Sequence, residues 1–203
     1  MGERSELELL IAWRGGDRQA GDVLMRRYYA RVLGFFRFRV PEAADDLAQG
    51  TFLACTEARE RFAPQTFAGF LFGIARNQLG RYYERARLEE QLHFRGQVPQ
   101  SILTPSGVVA LRQEHWLLLR ALDSLGEEQQ TIIALYYVQE LRAREIAEAL
   151  ELPVSTVTSR VARAREALRK QIASLPAPPK ARESLAAELD RYVRSLASLT
   201  PTP

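Results

Sequence analysis

The residues with the clearest chemical capacity lie between positions 142 and 168, RAREIAEALELPVSTVTSRVARAREAL. Ile146, Ala147 and Leu150 are apolar on one short helical stretch. Val154, Val157, Val161, Ala164 and Leu168 recur at steps of 3, 4, 3 and 4 on the next, with Leu152-Pro153 between them. Two short helices locked by a small shared core leave the outer face of the second helix free, the arrangement of a helix-turn-helix. Opposite the valines that face carries Ser155, Thr156, Thr158, Ser159, Ala162, Arg163 and Glu166. Short hydroxyls and arginine suit base edges and phosphates in a major groove. Ser155 is placed to cap the second helix or to meet a phosphate at its N-terminus. An ordinary helical hairpin would share the apolar spacing. The polar face and its charge favour DNA.

Charge is segregated along the chain. Arg and Lys total 28 against 25 Asp and Glu, a net charge of only +3. Residues 154–170 set Arg160, Arg163, Arg165, Arg169 and Lys170 against Glu166 alone, and residues 76–87 set Arg76, Arg81, Arg85 and Arg87 against Glu84. Residues 42–60 do the reverse, with Glu42, Asp45, Asp46, Glu57 and Glu60 against Arg59. Two basic helical stretches and one acidic one indicate two phosphate-facing surfaces and a third surface for a different partner. The material for other chemistry is thin. Cys55 is the single cysteine and reads as a small core residue, and His93 and His115 lack ligand spacing. No catalytic residue, metal site or cofactor is expected, and the chain is not expected to be an enzyme.

The elements that must position these groups are helical, since apolar residues recur at helical spacing and nothing alternates strictly as a strand would. Leu7, Leu10 and Ile11, then Leu24, Tyr28, Val32, Phe35 and Phe36, fit two helices broken at Gly15-Gly16. Pro41 marks a turn. Asp45-Asp46 opens a helix to about Phe62, with Leu47, Phe52 and Leu53 apolar, and another helix runs from Thr66 to about Phe94. Residues 96–107 (GQVPQSILTPSG) carry no charge and read as a linker. A second block extends from about Val108 to Ile172, and Pro176, Pro178 and Pro179 end it. Lys180 to Leu199 has Leu185, Leu189, Tyr192, Leu196 and Leu199 at steps of 4, 3, 4 and 3, one amphipathic helix. It either folds back on the second block or is a regulatory segment that masks a DNA- or polymerase-binding face or binds another protein. Trp13 and Trp116 fit helix faces and read as core. Tyr82 or Tyr83, beside Arg81 and Arg85, could stack on a base. No apolar run reaches the ~18 residues of a membrane span. Glu3, Glu6 and Glu8 stand where a secretory leader requires positive charge, so a cytoplasmic location is expected.

Four stretches in this order resemble bacterial sigma factors of the extracytoplasmic-function (ECF) type, in the sigma-70 family. Residues 45–53 (DDLAQGTFL) resemble the core-polymerase-binding helix, and residues 67–77 (FAGFLFGIARN) the helix after the −10 recognition loop. Residues 122–135 (LDSLGEEQQTIIAL) resemble the entry to the −35-binding domain, and residues 145–169 (EIAEALELPVSTVTSRVARAREALR) its helix-turn-helix. The resemblance implies an all-α fold of two small domains. Residues 1–95 would be a region 2-like domain, 96–110 a flexible linker, 111–172 a region 4-like domain, and 173–203 a proline-rich joint and C-terminal helix. It implies that Asp45, Asp46, Leu47, Gln49 and Phe52 bind core RNA polymerase. Phe62, Gln65, Thr66, Arg76, Asn77, Arg81 and Arg85 would bind the −10 element, near a pocket that takes a flipped base. Ser155, Thr156, Thr158, Ser159, Arg160, Ala162 and Arg163 would bind the −35 element. Promoter DNA and core polymerase are the implied partners, with an anti-sigma factor or other regulator as a further one, and no membrane insertion. The chain departs from the family pattern at Gly50, where Glu is usual, at Gly126, where Pro is usual, and at Thr158, where a basic residue is common. The competing reading, a helix-turn-helix regulator that never joins polymerase, explains residues 142–168 but leaves the acidic helix and the first basic helix unused.

Overall fold

The computed structural model describes residues 4–61, 66–93 and 113–199. These form ten α-helices and, among the described residues, no strand. The first block comprises α1 (Glu6–Arg14), α2 (Arg18–Arg39), α3 (Ala44–Glu57) and α4 (Phe67–His93). The second comprises α5 (Gln113–Asp123), α6 (Glu127–Ile133), α7 (Ala143–Leu150) and α8 (Val154–Ser174), followed by α9 (Pro179–Ala187) and α10 (Leu189–Leu199). The 96–110 linker expectation lies outside the described residues.

Local chemistry sets the helix ends. Ser5 caps α1 in a box with Glu8, the Glu8 amide donating to Ser5 Oγ and the Ser5 amide to Glu8 Oε2. Asp17 Oδ1 accepts from the amides of Gln19 and Ala20 and starts α2. These amides and Arg4 hold the Asp17 carboxyl below its usual range. Thr66 Oγ1 accepts from the Gly69 amide at 3.0 Å and starts α4. After α6 the backbone makes one wide π turn over Ala134–Val138. Glu151 ends α7 with φ 54°, a left-handed residue that turns the chain into α8.

The first block packs on aromatic rings. Phe67 receives Trp13 and Tyr28 edge-on at centroid distances of 6.0 and 5.1 Å, and Phe35 meets Phe72 at 5.8 Å. The second block is aliphatic, with Leu117, Leu118, Leu122, Ile132, Ile133, Ile146, Leu168 and Ile172 all buried. The two blocks share one continuous apolar core, because α7 lies along α4.

Several expectations are corrected. Helix α3 ends at Glu57, before a short 3-10 turn over Arg59–Arg61, rather than running to Phe62. In α1 the buried residues are Leu9, Leu10 and Trp13, while Leu7 and Ile11 are exposed, so the inward stripe is rotated from the one first drawn. Val154 is 47% exposed, because the first residue of α8 projects beyond the small core that Val157 anchors. Ser155 makes no capping bond; Pro153 occupies the cap position and contributes no side-chain acceptor. Trp116 is at the surface beneath the Arg120 guanidinium. The tail is two helices meeting at Glu188, which lets Ala181, Leu185, Leu189, Val193 and Leu196 all reach the core. Cys55 is buried as expected, and burial pushes its thiol pKa up to about 12.

Candidate nucleic-acid interface

The acidic helix α3 presents Asp45, Asp46 and Gln49 to solvent, with Leu47 and Phe52 half-buried beside them. Phe52 stacks on Tyr29 at 5.9 Å, and Leu53 next to it is 62% exposed. This surface combines acid with exposed Leu53 and Tyr29 and the half-buried Phe52 ring, which suits a protein partner better than a phosphate backbone. Gln78 Nε2 donates to the Gly50 carbonyl and ties α3 to α4.

The first basic helix, α4, is about 40 Å long. Phe62 and Gln65 lie outside the described residues. Asn77, Arg81 and Arg85 are exposed, and Arg76 is half-buried. Arg76, Asn77 and Arg81 line an open cleft of about 740 Å³ whose opposite wall carries Glu127, Glu128 and Arg160 of the second block. Arg87 pairs with Glu127, and Arg160 with Glu128. At the start of α4, Thr66 Oγ1 donates to Glu148 Oε2 at 2.6 Å, and the Thr66 amide donates to Glu148 Oε1 at 3.3 Å. Both Thr66 donors are therefore held by a carboxylate of the helix-turn-helix.

The two tyrosines flagged as base-stacking candidates are engaged within the protein. Tyr82 donates to Glu42 Oε1 at 2.9 Å, and burial together with that bond pushes its pKa up to about 12. Tyr83 is buried, and burial raises its pKa, partly offset by the Arg39 charge. Both phenols are neutral hydrogen-bonding groups at pH 7.

The second basic helix is differently placed. Ser155, Thr158, Ser159, Ala162 and Arg163 on α8 are exposed together, with Thr156 and Arg160 half-buried at the margin. Thr158 Oγ1 donates to the Val154 carbonyl and Ser159 Oγ to the Thr156 carbonyl, so both hydroxyl oxygens face outward as acceptors with their protons satisfied. An acceptor row with an adjacent guanidinium is the chemistry that reads base edges in a major groove. Arg165 is turned away and pairs with Asp190 of α10 at 3.5 Å. The C-terminal helices cover α5, the π turn and the rear of α8, and leave the outer face of α8 open.

The order of these surfaces along the chain matches that of two sequence families. Residues 24–89 match sigma-70 region 2, and residues 115–168 match sigma-70 region 4. The ECF RNA polymerase sigma factor SigW of Bacillus subtilis is 33% identical over 144 residues, 65% of this chain and 76% of SigW. This chain belongs to the sigma-70 family and is an ECF RNA polymerase sigma factor. The ECF sigma-E factor of Escherichia coli K12 is 27% identical over 172 residues, covering 79% of this chain and 90% of that protein. Among solved structures, CnrH bound to the cytosolic domain of CnrY superposes with a TM-score of 0.58 at 23% identity, over 82% of this chain and 96% of CnrH. The sigma factor RpoE of Bartonella quintana, bound to the anti-sigma factor NepR, gives 0.59 at 20% identity, over 77% and 96%. These two likenesses concern the fold.

Five residues at the block junction escaped the sequence reading: Arg39, Gly69, Gly73, Thr131 and Glu148. One signal was available. Gly69 and Gly73 lie four apart on α4, and glycine inside a helix costs about 1 kcal/mol against alanine. A close helix neighbour explains both. A Cβ on Gly69 would come within 2.7 Å of the Glu148 Cβ, and one on Gly73 within 3.5 Å of the Ala149 Cα.

Proposed function

We propose that this sigma factor directs core RNA polymerase to promoters by dividing recognition among the three surfaces. Asp45, Asp46, Leu47, Gln49 and Phe52 on α3 dock on polymerase. Phe62, Gln65 and Thr66, with Arg76, Asn77, Arg81 and Arg85 on α4, engage the −10 element as single-stranded DNA. Ser155, Thr156, Thr158, Ser159, Arg160, Ala162 and Arg163 on α8 read the −35 element in the major groove. Residues 1–95 and 111–172 act as the two recognition units, joined through residues 96–110. Nucleotide addition belongs to polymerase, so the chain supplies specificity rather than catalysis, and it works in the cytoplasm where polymerase and chromosome meet. The two solved neighbours are bound to the cytosolic domain of CnrY and to the anti-sigma factor NepR, and an anti-sigma factor is a further partner of this chain.

The observation that carries this reading is the joint exposure of Ser155, Thr158, Ser159, Ala162 and Arg163 on a family-matched region 4 helix. The experiment adds the purified chain to sigma-free bacterial core polymerase with sheared genomic DNA and maps transcript 5′ ends. Discrete starts that share paired upstream elements are expected. Absence of starts together with absence of core binding would leave a duplex-binding regulator in its place.

A further inference from the structure

The C-terminal helices lie beyond the region 4 match, yet one of their side chains reaches the edge of α8. Asp190, in the first turn of α10, divides its carboxylate between two elements of the second block. Oδ1 accepts from the Tyr137 hydroxyl of the π turn at 3.0 Å, and Oδ2 stands 3.5 Å from Arg165 Nη1 on α8. Tyr137 is buried, and burial together with the bond to Asp190 raises its pKa, so the phenol is a fixed proton donor at pH 7. Leu189 and Val193, flanking Asp190 on α10, are buried and hold the backbone beneath it. The other cations of α10 are occupied, Arg191 by Glu188 and Arg194 by Glu140. The Asp190 charge therefore falls to Arg165. An exposed ion pair between two flexible side chains contributes little, but here packing and Tyr137 place the carboxylate independently of the arginine.

Arg165 is positioned to matter for DNA. It follows Thr158 by seven residues, two helical turns, so it stands on the Thr158 edge of the outer face, about 10 Å further along the axis. A recognition helix contacts base edges with its N-terminal residues. A residue two turns further on rises to the phosphate rim of the groove. Arg163, on the opposite edge, donates to the Ser159 carbonyl of its own helix and has no carboxylate partner among the described residues. The two guanidiniums flank the same face in opposite states: Arg163 is free to meet DNA, and Arg165 is neutralised by the tail.

We infer that Asp190 is a positioning residue for α8: it holds the Arg165 guanidinium off the DNA backbone, so the C-terminal helices set the affinity of the −35 surface for duplex DNA. This rests on the promoter-recognition reading above. A phosphate contact carries no sequence information. Withholding one weakens binding to every sequence alike, leaves base contacts untouched, and makes the chain depend more on polymerase for its hold on DNA.

The test titrates the full chain against a labelled mixed-sequence DNA duplex and reads the slope of log K against log salt. Asp190→Asn keeps an oxygen for the Tyr137 hydroxyl and removes the charge. It is expected to steepen the slope by about one and to raise affinity several-fold, up to about eightfold, at about 0.1 M salt. Adding Arg165→Ala to that variant is expected to return both values to those of wild type. Asp190→Glu, which keeps the charge, is expected to stay close to wild type. Tyr137→Phe loosens the carboxylate without removing it and should act in the same direction as Asp190→Asn by a smaller factor, which covers poor folding of the latter. Unchanged slopes in Asp190→Asn and Tyr137→Phe overturn the proposal. So does a shallower slope, which would mean that Asp190 props Arg165 toward the phosphate. A gain that survives Arg165→Ala also overturns it, since the gain would then come from the lost negative charge alone. With core polymerase and sheared genomic DNA, the Asp190→Asn holoenzyme is expected to start at the wild-type sites and to tolerate more salt. Absence of any start from wild type overturns the promoter reading, while the slope on the duplex still decides the role of Asp190.

Discussion

Helices α4 and α8 are the two basic helices of the chain, yet the fold treats them oppositely. The outer face of α8 is open along Ser155, Thr158, Ser159, Ala162 and Arg163. The start of α4 is covered by α7, and its flank faces the acids of α6 across a cleft. Charge patterning identified both helices equally well, because an excess of arginine on a helix face is a local property. Whether such a face is available depends on what packs beside it. The contrast extends to the supporting core: α4 is held by large aromatic rings from α1 and α2, whereas α8 is backed by aliphatic side chains and by the C-terminal helices.

The largest effect is expected from removing residues 177–203. Leu185, Leu189, Val193 and Leu196 are each at most 2% exposed, and burial of such side chains contributes roughly 1.5–3 kcal/mol apiece. The deletion should cost the second block several kcal/mol and lower its denaturation midpoint, with loss of the Tyr137–Asp190 and Arg165–Asp190 contacts. If stability were unchanged and transcription rose instead, the tail would be a mask over a working face rather than the back of α8.

Arg39→Ala should follow, at about 2–3 kcal/mol, since it leaves Thr131, the Glu127 carbonyl and Tyr83 without their charged donor. Chemical denaturation gives the value. An effect below 1 kcal/mol would mean that the junction of the two blocks is loosely held and that the contrast between α4 and α8 is slight.

A paired comparison on DNA addresses that contrast directly. Arg163→Ala should weaken binding of the isolated chain to duplex DNA and reduce the magnitude of its salt slope by about one, the signature of one lost phosphate contact. If Arg163 instead contacts a base, the loss becomes promoter-selective, about 1–3 kcal/mol. Arg87→Ala should leave the isolated chain's binding nearly unchanged, because that guanidinium is already paired with Glu127. Equal losses for the two variants would show that both helices are accessible in the free protein.

The smallest expected effect is at the turn between α7 and α8. Glu151 adopts φ 54°, a conformation that costs a non-glycine residue roughly 1 kcal/mol. Glu151→Gly should stabilise the second block by about that amount in thermal denaturation and leave the outer face of α8 unaltered. Cys55, in contrast, should resist alkylation at pH 8 in the native protein and react at once in denaturant, since burial holds its thiol protonated.

The sequence by itself determined the helical class, most helix boundaries to within a few residues, and the segregation of charge into two basic helices and one acidic one. These follow from local rules: the 3-4 spacing of Val157, Val161, Ala164 and Leu168, the caps at Ser5 and Asp17, and the runs of like charge along single helices. The same locality explains what it could not reach. Val154 and Trp116 have the right type and phase for burial, but both stay exposed, Trp116 beneath the Arg120 guanidinium. The tail's leucine spacing fits one helix, and only the need to bring Leu185 and Leu196 onto the same core breaks it at Glu188. Arg39 looks like an ordinary solvated cation at the end of an amphipathic helix. The partners that bury it, Thr131 and the Glu127 carbonyl, lie 92 and 88 positions away. The tertiary structure alone decided which of two basic helices is open, because occlusion is a property of packing between segments distant in sequence, and no local pattern records it.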